Sequence, residues 1–240
     1  MAQTSEKPVA LIVGAGAGLS ASFARALAGA GYALHLTARG TAKLEALAAE
    51  TGAELHQLDG TDAEGISRLA ESLPGDLRVA CYNPSARVRG PLAELDPEAV
   101  RKAVEVTAHG AFLLGQAAAK RMLAQQPAAD GRQGTILFTG ASAGVKGFAQ
   151  SAPFAMGKFA QRGLAQAMAR ELHPKGIHVA WVNIDGGIRN ASRPERVEAA
   201  DNPDSMLDPD AIAQEYMHLI NQHRSAWSDE LVLRPWVERF

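Results

Sequence analysis

The sequence predicts an α/β fold: a doubly wound parallel sheet of about seven strands with helices on both faces, in one domain spanning all 240 residues. Three observations lead there. Strand-length apolar runs alternate with helical stretches along the chain, the order that builds a parallel sheet through right-handed crossovers. The first run, Val9 to Val13, is continuous rather than alternating, as in a strand buried on both faces. Glycines then separate that strand from the first helix.

Leu19 to Ala30 reads as an Ala-rich helix stopped by Gly31, and Ala33 to Thr37 as the second strand. Ala42 to Glu50 is a helix ending near Gly52, Glu54 to Leu58 a third strand, and Ala63 to Ser72 a helix closed by Pro74. Leu77 to Tyr82 is the fourth strand. Asp96 and Pro97 form an N-cap and first-turn pair. A long helix covers Gly110 to Ala124, followed by a surface loop from Pro127 to Gly134. Thr135 to Thr139 is strand five, and Phe154 to His173 a helix with no internal proline and Pro174 just after it. Ile177 to Val182 is strand six. Asp208 and Pro209 repeat the capping signal for Ala211 to Asn221, and Leu231 to Leu233 supplies a seventh strand. Ile188 to Leu207 has no clear period and is rich in Arg, Glu, Asn and Ser, which suits a substrate loop or, more plainly, a solvated one.

Composition narrows the class. Hydrophobic residues make up 47% and charged residues 21%, and the net charge of −2 gives no reason to expect a nucleic-acid or membrane-surface partner. Cys81 is the only cysteine, so no intrachain disulfide forms; its apolar surroundings predict a buried, inert thiol. Met1 to Pro8 is polar, and the apolar run after it stops at Gly14, too soon for a signal core or a membrane span. A cytoplasmic protein without a metal site is the expectation.

The segment Gly14-Ala15-Gly16-Ala17-Gly18-Leu19-Ser20 joins the first strand to the first helix. Small residues there allow a tight turn and let the backbone approach a pyrophosphate, to which the helix N-terminus offers unpaired N–H groups and partial positive charge. The end of strand two reads Thr37-Ala38-Arg39-Gly40, with no carboxylate for an adenosine ribose. Ala38 leaves room and Arg39 can pair with a 2′-phosphate, so NADP(H) is favoured over NAD(H).

At this point the sequence resembles the short-chain dehydrogenase/reductases, a family of Rossmann-fold oxidoreductases. Gly14-x-x-x-Gly18 is similar to the family's glycine motif, with Ser20 where the last glycine stands. Leu58-Asp59-Gly60-Thr61-Asp62 is similar to the segment after strand three, where an Asp lies near the adenine. Tyr82-Asn83-Pro84-Ser85 falls where the family has Asn-Asn-Ala-Gly against the cofactor, and Asp185-Gly186-Gly187-Ile188 where it has a Pro-Gly turn beside the nicotinamide.

The resemblance implies hydride transfer between a nicotinamide and an alcohol or carbonyl carbon, on a small-molecule substrate. In the family a Tyr-x-x-x-Lys motif handles the proton, the lysine lowering the phenol pKa from about 10 toward working pH. A serine orients the substrate oxygen and an asparagine supports a water relay. Here the motif reads Phe154-Ala155-Met156-Gly157-Lys158. Lys158 remains, to hold the nicotinamide ribose, but Phe154 has no proton to give. The serine position falls on Ala141, with Ser142 one residue later, and the asparagine position on Thr107. Ser142, Thr139, Tyr82, His109 or a water relayed through Lys158 are replacement donors to consider; His173 and His178 read as structural. The alternatives are a catalytically weak nucleotide-binding sensor, scaffold or partner subunit, and a non-redox enzyme on the same scaffold.

By the same resemblance, the helices Gly110–Ala124 and Phe154–His173 pair across a homodimer interface, and dimers form tetramers. The C-terminal Trp236 and Phe240 are expected to be anchored on this subunit or a neighbour.

Overall fold

The computed structural model describes residues 7–238. In chain order its elements are β1 (Val9–Val13), α1 (Leu19–Gly29), β2 (Ala33–Ala38), α2 (Glu45–Thr51), β3 (Glu54–Gln57), α3 (Ala63–Ser72), β4 (Leu77–Tyr82), α4 (Pro97–Val104), α5 (Gly110–Ala124), β5 (Gly134–Thr139), α6 (Ala152–Leu172), β6 (Ile177–Ile184), β7 (Gly187–Ile188), β8 (Met206–Leu207), α7 (Pro209–Asn221) and β9 (Glu230–Leu233). Seven strands make one sheet in the order β3-β2-β1-β4-β5-β6-β9, and every pairing in it is parallel. The order reverses between β1 and β4, which opens a crevice at their carboxyl ends, the usual ligand position in such sheets.

The continuous apolar runs are explained by burial on both faces. Ile12, Leu36 and Val182 point to one layer, where Phe23 and Leu27 of α1 meet Tyr216 and Leu219 of α7. Leu11, Ile136 and Phe138 point to the other, under Ile66 of α3, Leu114 of α5 and Leu172 of α6. Asp62, Asp96 and Asp208 cap α3, α4 and α7 by accepting backbone N–H bonds, the last two as the sequence predicts.

Several boundaries differ from expectation. The helix expected over Ala42–Glu50 begins as a 3-10 turn, Ala42–Leu44, before α2. Helix α6 starts two residues early, with Pro153 in its first turn, where the missing N–H breaks no helical bond. A π-helical segment, Glu105–His109, joins α4 to α5. The 188–207 stretch is partly ordered: β7 pairs with β8, Pro194–Arg196 forms a 3-10 turn, and Arg189 bridges Asp208 and Glu198. Trp236 is not anchored on this subunit. It is 82% exposed, with an indole N–H donated to Asp204 at 3.4 Å, because residues 236–238 lie outside the core. Phe240 lies outside the described residues.

The structural readings of Cys81 and the histidines hold. Burial pushes the Cys81 thiol up to about 12. The His178 ring stacks on Trp227 at 4.8 Å, and burial pushes it down to about 4. Among the described residues, no helix is long and apolar enough to cross a membrane.

One close contact ties the π segment to α6: a Cβ on Gly157 would lie 2.7 Å from Cβ of Thr107. Gly157→Ala should therefore destabilise the protein by about 1–3 kcal/mol through overpacking, read as a lower urea midpoint with an unchanged slope.

Candidate active site

The crevice is built on the turn after β1. Gly14 adopts φ of +80°, and a Cβ there would reach within 2.7 Å of Pro84 Cδ, so glycine is required on both counts. The N–H groups of Gly14 and Ala15 donate to the Thr37 carbonyl at 3.1 and 2.8 Å, which ties the turn to β2. A Cβ on Gly16 would meet nothing within 4 Å: open space lies over the middle of the turn. Gly18 occupies the N-cap of α1 and brings no side-chain cap, so the first N–H groups of the helix are left for an anion.

Ser20 carries more than its place in the glycine motif suggests. Its hydroxyl accepts from Asn83 Nδ2 at 2.6 Å and donates to the Gly14 carbonyl at 3.3 Å. The end of β4 is thereby braced against the turn. A lone serine in a glycine motif gives no sign of this, because its partner is 63 residues away.

A cavity of about 370 Å³ runs from this turn across the sheet edge. Gly14, Ala15, Gly16, Gly18 and Leu19 form its floor. Asn83 and Ser85 line one side, Gly186 and Ile188 the other, and Phe154 and Lys158 close the far end. A second cavity of about 450 Å³ shares Phe154 and Ala141 with the first and holds Ser142. Ala38, Arg39, Asp59, Pro84 and Thr107 line neither. Arg39 is exposed at the end of β2, and Asp59 accepts from the N–H and hydroxyl of Thr61 at 3.0 and 2.8 Å. Thr107 is fully buried and accepts from the Ala86 N–H at 3.1 Å, holding the loop after β4 rather than facing the cavity.

The other hydroxyl and imidazole candidates divide clearly. Tyr82 is buried and donates to the Val106 carbonyl at 2.5 Å; burial raises its phenol well above the ordinary value. Thr139 lines the first cavity and shares a 2.8 Å hydrogen bond with Tyr216. His109 is exposed and lines neither cavity. None of the three tyrosines, Tyr32, Tyr82 and Tyr216, lines either cavity.

Lys158 stands one helical turn after Phe154, with only 2% of its surface exposed. Its ammonium donates to the Thr139 carbonyl at 2.5 Å and to Gln161 Oε1 at 3.2 Å. Gln161 in turn donates from Nε2 to the Thr107 carbonyl at 3.2 Å, linking α6 to the π segment. Sequence reasoning passed over Gln161, although its i+3 spacing from Lys158 puts both on one face. Burial, and then the nearby Arg87 charge, lower Lys158 from 10.5 to about 7. The Arg87 guanidinium lies 4.3 Å from the centroid of the Phe154 ring. Away from the crevice, His35 Nδ1 and His56 Nε2 lie 2.9 Å apart with Glu54 within 3.7 Å of each, a grouping across β2 and β3 that periodicity does not reveal.

Glycine turn, switch-point crevice and buried lysine together define a dinucleotide-binding α/β protein. Comparison with known proteins narrows this. Residues 8–197 match the family model for short chain dehydrogenases. The chain is 30% identical over 199 residues to D-erythrulose reductase of Gallus gallus, covering 80% of this chain and 78% of that protein. A short-chain dehydrogenase from Rhodopseudomonas palustris superposes with a TM-score of 0.80 at 31% identity, over 96% of this chain and 100% of that one. An alcohol dehydrogenase from the archaeon Thermococcus sibiricus, solved with 5-hydroxy-NADP, superposes with a TM-score of 0.81 at 26% identity, over 98% and 99%. The chain belongs to the short-chain dehydrogenase/reductase family of NAD(P)-dependent oxidoreductases.

The buried lysine makes stability depend on pH in a defined direction. Between about 7 and 10.5 the folded chain sheds a proton that the unfolded chain keeps, so stability rises with pH. Above 9.0, the ordinary thiol value, Cys81 works the other way, since its folded value is raised to about 12. Denaturation of the nucleotide-free protein should show stability climbing from pH 7 to 9, and Lys158→Met should flatten that climb.

Proposed function

We propose that this chain is an NADP(H)-dependent oxidoreductase acting on a small carbonyl or alcohol compound, with Phe154 at the family's tyrosine position and a proton donor other than a phenol. The observation that carries this reading is the cavity running from the Gly14–Gly18 turn to Lys158. A nicotinamide dinucleotide, when bound, supplies the two-electron redox chemistry; this chain's own groups bind, orient and handle the proton. The residues present suit such a group, since the turn offers backbone N–H groups, an uncapped helix start and open space over Gly16.

In this reading Gly14, Ala15, Gly16, Gly18 and Leu19 take the pyrophosphate. Asn83, Pro84 and Ser85 support one wall, and Gly186 and Ile188 the other. Ala38 makes room for the adenosine, Arg39 pairs with the 2′-phosphate, and Asp59 stands near the adenine. Ser142 orients the substrate oxygen. Thr107 acts indirectly, through the Ala86 N–H and Gln161.

The proton has a candidate source by elimination. Among the described residues lining the two cavities, the titratable side chains are Lys158 and arginines. A guanidinium does not give up its proton in a protein, whereas a buried amine near 7 does so at working pH. Lys158 is therefore assigned the proton as well as the ribose. A second reading, a nucleotide-binding protein with little turnover, is favoured by the absence of any tyrosine from the cavity linings. Family resemblance also supports a homodimer packed through α5 and α6, where Phe112, Leu123, Met156 and Phe159 are exposed; sedimentation of the intact protein checks it.

NADPH should bind with a fluorescence change, and Arg39→Gln should weaken it by about tenfold or more while leaving NADH nearly unchanged. Absorbance assays across aldehydes, ketones and quinones should show turnover whose reductive rate falls as pH rises through the lysine's pKa, a limb that Lys158→Met removes. Tight binding with no turnover, restored by Phe154→Tyr, establishes the second reading instead.

A further inference from the structure

The second cavity is lined by three arginines, Arg87, Arg89 and Arg196, and, among the described residues, by no carboxylate. Among the described residues none of the three has an ion-pair partner, whereas Arg25, Arg78, Arg162 and Arg189 each hold an acidic side chain. Three like charges around one hollow repel one another. Arg196 and Arg89 act in this way on Arg87, adding to burial in holding its pKa below the ordinary value. Folding has accepted that repulsion with no counter-charge from the described residues of the cavity wall.

Two of the arginines have defined neighbours. Arg87, from the loop after β4, lies over the Phe154 ring with its charge 4.3 Å from the centroid. Arg196, from the 3-10 turn Pro194–Arg196, lies against Gly187, where a Cβ would stand 2.8 Å from its Nη1. Glycine there leaves room for the guanidinium. The two forks thus approach from separate segments, an arrangement suited to two-pronged capture of a planar or tetrahedral anion. Ser142 and Phe154 line the same cavity, so an anion held by the arginines would keep its uncharged part near the proposed reacting end.

We propose that the substrate is an anion: a carbonyl compound or alcohol bearing a carboxylate or phosphate, whose charged end is bound by Arg87, Arg89 and Arg196. The inference rests on the oxidoreductase reading of the neighbouring cavity. Arg87 and Arg196 line that cavity too, so the competing source of negative charge is the cofactor's own phosphates. The cavity of about 450 Å³ lies within the range for small-molecule sites.

Calorimetry with non-reacting probes tests this on the intact protein. NADPH is titrated first, then benzoate, phenyl phosphate and neutral benzamide into the NADPH-loaded protein. The two anions should bind about tenfold or more tighter than benzamide. Arg89→Gln and Arg196→Gln should each erase about tenfold of that preference, with NADPH affinity held within about twofold in Arg89→Gln, whose side chain lines the second cavity and not the first. Equal binding of benzoate and benzamide by the unmutated protein overturns the proposal and needs no variant to fold. Loss of NADPH affinity in both variants, with benzoate binding unchanged, overturns it as well and gives the arginines to the cofactor. If NADPH does not bind at all, the nucleotide reading fails separately, and the same benzoate–benzamide comparison on the free protein still decides the arginine site.

Discussion

The crevice depends on the bare α-carbon of Gly14. The strand must turn sharply at the sheet's switch point, its φ of +80° is one that side chains rarely adopt, and Pro84 fills the space a side chain would need. Everything on the cofactor side follows from that interlock. The turn is tied to β2 through the Thr37 carbonyl and to β4 through Ser20 and Asn83. The open space over Gly16 and the uncapped start of α1 are therefore held by three neighbouring strands rather than by a loop alone.

A second set of constraints operates at the other end of the crevice. The π segment brings Thr107 under α6, and Gly157 lets the two approach closely. Gln161 then bridges the Thr107 carbonyl to the ammonium of Lys158, whose other partner is the last carbonyl of β5. The amine is thus enclosed by fixed dipoles without an acid beside it, the condition under which burial lowers a lysine's pKa most. Where the resemblance leads one to expect a phenol, the chain has a phenyl ring under an arginine. In the proposed reading the lysine is the titratable proton source of the cavity, and the arginines supply its field.

These two ends are coupled through the loops that follow β4 and β6. Arg87 and Arg196 face both cavities, so charge on a bound ligand in one is felt in the other. The pairing of β7 with β8 and the bridging of Arg189 hold the 188–207 stretch near the opening. Arg189 and Arg196 are thereby set half-buried at that opening.

Local sequence determined the layers of this protein: apolar runs, capping aspartates and the glycine turn are short-range signals, each readable within about a dozen residues. It also located Lys158 and the missing phenol, because i, i+4 spacing is a property of one helix. Tertiary structure decided the rest. Only the fold brings Asn83 to Ser20, Gln161 to the Thr107 carbonyl and Arg87 over Phe154, since each pairing joins separate elements. It left Trp236 exposed on this subunit, because burial requires a surface to pack against and hydrophobicity alone does not supply one. It also turned three arginines distributed over 110 positions of sequence, from 87 to 196, into one cavity wall, an electrostatic fact that exists only once the chain has closed on itself.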